Sequence, residues 1–148
     1  MPLCFEDLAV GMRFETGRRT ITDADLVNFS EVSGDFNPLH LDEEYARTSL
    51  FGRRVAHGML ILSVATGLRQ RTGLFEGTMM AFLEVRAWRF VKPVGIGDTI
   101  RAVTEIRELR ETSHPDRGVM VQQVQVLNQE DQMVAQGEFV NMVRRKAR

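Results

Sequence analysis

In the stretch SGDFNPLHLDEEYA, residues 33–46, Asp35 and His40 flank the dipeptide Asn37-Pro38. Pro38 disfavours helical dihedrals at Asn37, so the chain there must be extended or turning. Gly34 adds a second point of backbone freedom. Asp35 and His40 therefore lie on a constrained bend and are free to converge, as residues at this spacing on a straight helix are not. A carboxylate beside an imidazole keeps the ring's tautomer defined and its titration near working pH, where proton transfer is most effective; the pair can also hold one water. The plainer alternative is that Asp35 caps a turn and His40 packs beneath Leu39 and Leu41. Spacing alone leaves both open.

A second chemical signal lies in RVAHGML, residues 54–60. A helix opens there with no Ser, Thr, Asp or Asn at its start, only Gly58, a weaker cap. Its first backbone N–H groups lack a side-chain acceptor, and the apolar residues that follow place them inside the protein. Such donors, at the positive end of the helix dipole, make a candidate oxyanion site, and Gly58 lets a carbonyl approach closely. A water or a loop carbonyl filling the same role is the alternative. His57 shares this region and reads as a structural or supporting histidine. An aspartate–histidine pair holding water, opposite donors that polarise a carbonyl, is what addition of water to an α,β-unsaturated thioester requires.

The elements that must position these groups are legible in outline. MRFETGRRTI (12–21) reads as a strand after a turn at Gly11. Thr22 is an N-cap for DADLVNFSEVSG, with Asp25 approximating a capping box and Gly34 the stop. Asp42 caps a short second helix, EEYARTSL, ended by Gly52. From Gly58 to about Gly67 the chain is apolar nearly all round, so that helix is buried in something. Strand-like runs follow at 77–92, 97–110, 117–128 and 132–144, separated by turn signals at Pro93-Val94-Gly95, His114-Pro115-Asp116 and 128–131. With the first strand this makes about five, in hairpin order. The simplest α+β solution is an antiparallel sheet curled around one buried central helix.

Composition narrows the classes. The 148 residues suit one domain with a core of its own, at 43% hydrophobic and 26% charged content. A formal charge of −1 gives no field that would draw nucleic acid or an anionic membrane. The basic end RRKAR (144–148) reads as a solvated tail. Cys4 is the sole cysteine, which excludes an internal disulfide and points to a reducing compartment. The N-terminus lacks a charged-then-apolar leader, and the most apolar stretch, 57–68, is shorter than the roughly 20 residues a membrane span needs. A cytoplasmic protein is expected. Three histidines and one cysteine at unrelated spacings offer no metal site. Gly95-Ile96-Gly97 lacks the third glycine of a dinucleotide loop, no G-x-S-x-G elbow occurs, and the methionines read as core filler. His114 belongs to a hairpin loop and is expected in solvent.

The run FSEVSGDFNPLHLDEEYA (29–46) closely resembles the signature of MaoC-like dehydratases, the (R)-specific enoyl-CoA hydratase group. Phe29, Gly34, Asp35, Asn37, Pro38, Leu39, His40 and Ala46 fall in register with an aromatic residue, G-D-x-N-P-aliphatic-H and a small residue beyond. HGML (57–60) resembles the start of that family's oxyanion helix, and the strand order fits its hot-dog fold, so the likeness spans most of the chain. The resemblance implies one hot-dog domain over 1–148, with Asp35 and His40 as catalytic dyad and Asn37 orienting the loop. It also implies that the Gly58 N–H holds the thioester oxygen. The implied reaction is reversible hydration of a trans-2-enoyl-CoA, or a related enoyl thioester, to the (R)-3-hydroxyacyl thioester, without a cofactor beyond the coenzyme A of the substrate; coenzyme A and acyl carrier protein both stay open as the carrier. At least a homodimer is implied as well, or a higher homo-oligomer, with sheets joined edge to edge, and a single sheet with two free edges argues independently for such pairing. Where many relatives carry a proline before the aliphatic pair preceding His-Gly, this chain has Arg54; Arg53 and Arg54 are either contacts for coenzyme A phosphates or, the plainer reading, a solvated pair. FEGTMMAFLEVRAWRF (75–90) either lines the acyl pocket or supplies sheet core through Phe82, Trp88 and Phe90. A hot-dog thioesterase and a non-catalytic acyl-thioester-binding subunit are the competing functions. The first would release free thiol; the second has no chemical need for Asp35, Asn37 and His40 together.

Overall fold

The computed structural model describes residues 1–147, and local signals set most of its helix ends. Thr22 caps α1 (Asp23–Ser33) reciprocally: its hydroxyl accepts the Asp25 N–H, and the Asp25 carboxylate accepts the Thr22 N–H. Gly34 closes the helix in the left-handed region, at φ 77°. Asn37 is non-helical, as the following proline demands, but Pro38 then opens a helical turn, α2 (Pro38–Leu41), rather than continuing an extended bend. Proline is preorganised for a first helical position, where its missing N–H costs nothing. α3 (Glu43–Arg47) starts at the Asp42 cap as expected. It ends before Gly52, because the Thr48 hydroxyl donates to the Tyr45 carbonyl and closes the turn.

The long helix α4 (Gly58–Arg71) runs past Gly67, which is exposed and interrupts nothing. Its buried stripe is Leu60, Ile61, Val64, Ala65 and Leu68, while Met59 and Ser63 face outward in the single chain. The helix is thus central but not covered on every side.

The expected first strand divides into β1 (Arg13–Glu15) and β2 (Arg19–Thr20), both antiparallel to β4. At the break the Thr16 hydroxyl accepts the Ala102 N–H at 2.9 Å, a side chain replacing a ladder carbonyl. Four longer strands follow: β3 (Met79–Phe90), β4 (Thr99–Glu111), β5 (Arg117–Leu127) and β6 (Met133–Arg144). The sheet has six strands in the order β1-β4-β5-β6-β3, with β2 also on β4. Hairpin order holds for β4, β5 and β6 only. β3 pairs with β6, since Pro93-Val94-Gly95 carries the chain across the sheet to its other side. That crossing is anchored where the Val94 carbonyl accepts the Ala56 N–H at 2.7 Å and Gly95 bridges Val55.

The concave face closes on α4. The α4 stripe packs with Ile100 and Ala102 of β4, Val124 and Val126 of β5, and Val134, Ala135 and Phe139 of β6. An antiparallel sheet wrapped around one helix is the hot-dog fold. Burial of each large aliphatic or aromatic side chain there contributes about 1.5–3 kcal/mol.

The chain end departs from the solvated-tail expectation. Arg145 donates to Glu6 at 2.8 Å and to Glu111 at 3.2 Å, its guanidinium lies 5.3 Å from the Phe5 ring centroid, and Lys146 pairs with Asp7. Arg148 lies outside the described residues. Among the described residues, no helix is long and apolar enough to cross a membrane.

Candidate active site

Short-range polar turns lay out the bend between α1 and α2. The Ser33 hydroxyl donates to the Phe29 carbonyl and accepts the Asp35 N–H; the Asp35 carboxylate accepts the Asn37 N–H at 3.2 Å; the Asn37 amide oxygen accepts the Leu39 N–H at 3.0 Å. Each small polar side chain serves the backbone two residues on, which is how such residues hold a tight path. Asn37 thereby caps the turn that carries His40. Asp35 is left exposed, while His40 is buried.

His40 Nδ1 lies 2.6 Å from the Val55 carbonyl. A carbonyl only accepts, so Nδ1 carries the hydrogen, and the neutral ring presents an unprotonated Nε2. His57 is held in the opposite sense. Its Nε2 lies 3.1 Å from the Asp35 carbonyl and 3.0 Å from the Ser30 hydroxyl, so Nε2 carries the hydrogen and donates to the carbonyl. Its Nδ1 is buried without a hydrogen-bond partner. The two imidazoles stack at 3.7 Å and 24°, with the Phe29 ring edge-on to His57 at 4.9 Å. Burial pushes His57 below the ordinary histidine value and the neighbouring His40 adds to this, while the Asp35 carbonyl partly opposes it.

An Asp35 carboxylate oxygen, a His40 ring nitrogen and a His57 ring nitrogen all lie within 4.8 Å of one another. Residues that spacing did not suggest as a ligand set are thus brought together. The near-parallel stack nevertheless argues against a shared ion, because in-plane lone pairs of parallel rings run side by side rather than meeting at one tetrahedral centre.

Gly58 begins α4 beside this group, after His57 at an N-cap position that makes no side-chain cap. Gly58 and His40 border one apolar cavity of about 380 Å³, lined also by Val55, Ile61, Phe90 and Val134. Phe90 leans over the helix start so closely that a Cβ on Gly58 would fall 2.6 Å from its ring. Any side chain at this position would have to displace the exposed Phe90 ring, while no dihedral angle demands glycine. The 75–90 stretch therefore divides: Trp88 packs on the core, stacked on Phe139 at 5.4 Å, whereas Phe82 and Phe90 are exposed in the single chain and Phe90 borders the cavity.

Two contacts of the site carry little local signal. Ser30 is a polar residue on the buried face of α1, and that misfit is the one hint of its bond to His57. Arg54 is not part of a solvated pair. Its side chain is 12% exposed, it donates to the His40 carbonyl at 2.7 Å, and it meets Asp23 at 2.7 Å. Arg53 is half exposed, as expected, and pairs with Asp98 at 2.9 Å. His114 lies exposed in the β4–β5 loop, also as expected.

Comparison with known proteins accords with this geometry. Residues 7–129 match the family described as MaoC like domain. The (R)-specific enoyl-CoA hydratase of Aeromonas caviae is 31% identical over 135 residues, covering 91% of this chain and 95% of that protein. Protein MaoC of Klebsiella aerogenes is 41% identical over 97 residues, 66% of this chain but 28% of that much longer protein. Among solved structures, the monoamine oxidase regulatory protein from Archaeoglobus fulgius superposes with a TM-score of 0.91 at 33% identity, covering 99% of this chain and 97% of that one.

Proposed function

The chain belongs to the MaoC-like domain family, and from that premise we propose that it reversibly hydrates a trans-2-enoyl-CoA to the (R)-3-hydroxyacyl-CoA. The observation that carries this reading is that an Asp35 carboxylate oxygen lies within 4.8 Å of a ring nitrogen of His40, and His40 borders the same apolar cavity as Gly58. The Asp35 carboxylate and an unprotonated His40 Nε2 are both acceptors. A water between them gives one hydrogen to each, and its remaining lone pairs face the substrate. The Gly58 N–H, at the positive end of α4, receives the thioester oxygen as it gains charge.

As the water oxygen bonds to the β-carbon, His40 Nε2 takes the proton and Asp35 steadies the imidazolium that forms. The enolate then collapses, and the same proton passes from His40 to the α-carbon. One water is consumed, one C–O and one C–H bond are made, and no cofactor enters beyond the coenzyme A carried by the substrate. The apolar cavity takes the acyl chain. His57 supports the His40 ring from behind, and Asn37 holds the turn.

Loss of the enoyl-thioester absorbance of crotonyl-CoA tests the reading. The wild type is expected to bleach the band. Asp35→Asn and His40→Ala are each expected to slow it by on the order of 10²–10⁴-fold with the fold intact. Hydrolysis removes the same band by breaking the thioester, so free thiol appearing in step with the loss would instead mark a thioesterase, whereas hydration leaves the thiol bound.

A further inference from the structure

We infer that Arg54 is a positioning residue for His40, forming with Val55 a two-point grip that fixes which ring nitrogen faces the water; this rests on the role given to His40 above. α2 has only four residues, too few for a helical turn to hold itself, since nucleation is costly and rewarded by few hydrogen bonds. Its N-terminal side is secured by Asn37 and Pro38. Its C-terminal side ends on carbonyls that have no partner further along the turn. One of these, the His40 carbonyl, accepts Arg54 Nε at 2.7 Å. The adjacent residue in the chain, Val55, supplies the carbonyl that faces His40 Nδ1 at 2.6 Å. Residues 54 and 55 thus hold the same histidine by its backbone and by its ring. A rotation of the turn that breaks one contact strains the other.

Arg54 is itself aimed from its far side. Its terminal nitrogen meets the carboxylate of Asp23 at 2.7 Å, in the first turn of α1. The planar guanidinium spans a carbonyl and a carboxylate through different nitrogens, which a lysine, with one ammonium centre, does not reproduce. Arg54 does not border the apolar cavity, so its effect should reach turnover through His40 and not through acyl binding.

The test is Arg54→Met, read two ways. Long-range ¹H–¹⁵N imidazole spectra are expected to show His40 as a single Nδ1–H tautomer in the wild type and as an averaged mixture in the variant. With crotonyl-CoA, kcat is expected to fall on the order of 10–100-fold, with KM moving less than about twofold, as for a misplaced catalytic group. Arg54→Lys, which keeps the charge and stem, is expected to lie between and serves if the methionine variant does not fold. Asp23→Asn should lower kcat in the same direction but less, and not additively with Arg54→Met. An unchanged tautomer with unchanged kcat, or a lower Tm alone, overturns the inference. A wild type inert towards enoyl-CoA defeats the hydratase reading, and the spectra still decide whether Arg54 sets the tautomer.

Discussion

At His57, burial and the stacked His40 ring disfavour the imidazolium, so the folded protein binds its proton less readily than the unfolded chain does. Where the unfolded state binds more protons, stability rises with pH and falls as pH drops. The contribution of His57 is therefore complete above the ordinary histidine value of 6.5 and is lost as pH falls below it through the lowered folded value. Urea unfolding should show a midpoint that is flat from about pH 7 to 8 and declines below about 6.5. Replacing His57 with Gln should flatten that decline, and a wild-type midpoint that rises on acidification would contradict the buried neutral ring. At this scale the sequence was informative where partners are local. Spacing around a proline singled out Asp35 and His40 but left a turn-capping reading open, and their roles with Asn37 came from the family resemblance; the Thr22–Asp25 box was legible from its own pattern. Ser30 on His57 and Arg54 on the His40 carbonyl are bonds across 27 and 14 positions, and nothing in their immediate surroundings selects those partners.

β3 shows what one strained residue does for an element. Ala87 has φ 48°, in the left-handed region, where β3 slips register against β6 between Arg86 and Arg89. The bulge accommodates Trp88, which reaches Phe139, and Gly137 opposite leaves the room it needs. A Cβ on Gly137 would lie 2.9 Å from the Arg86 carbonyl oxygen and from Trp88 Cα, backbone atoms that cannot swing aside. Ala87→Gly is thus expected to stabilise by up to about 1 kcal/mol, relieving a conformation that glycine adopts freely. Gly137→Ala is expected to destabilise by about 1–3 kcal/mol through overpacking. Chemical denaturation of the two variants beside the wild type checks both signs, and equal shifts in one direction would refute the account of the bulge. Hydrophobic runs and turn residues were enough to locate the long strands, yet the pairing of β3 with β6 depends on where Pro93-Val94-Gly95 crosses, which is settled by Ala56 and Val55 from a distant segment. The split of β1 from β2 has the same origin, in a Thr16 hydroxyl that answers Ala102.

For the molecule as a whole, β3 is an edge strand with one neighbour, β6, and its side chains are unusually bare of cover. Phe82, Leu83, Val85 and Phe90 are 45%, 49%, 40% and 56% exposed, and Met59 of α4 is 56% exposed nearby in the chain's outward face. An unpaired edge carrying large apolar groups is a surface that proteins normally cover, since unpaired N–H and C=O groups invite another strand and exposed apolar area favours association. Pairing of two β3 edges would satisfy both demands at once and would bring a second chain towards Phe90, at the border of the cavity beside His40. The expected state is a homodimer, seen as twice the chain mass in size-exclusion chromatography with light scattering. Leu83→Glu is the decisive variant. In a lone chain a half-exposed leucine tolerates a charge within about 0.5 kcal/mol, so the fold should survive, whereas a charge buried against a partner without a counter-ion should separate the chains. Monomeric Leu83→Glu with reduced hydration would tie the completeness of the pocket to the dimer. A wild type that elutes at the mass of one chain would leave β3 an open edge and remove the argument.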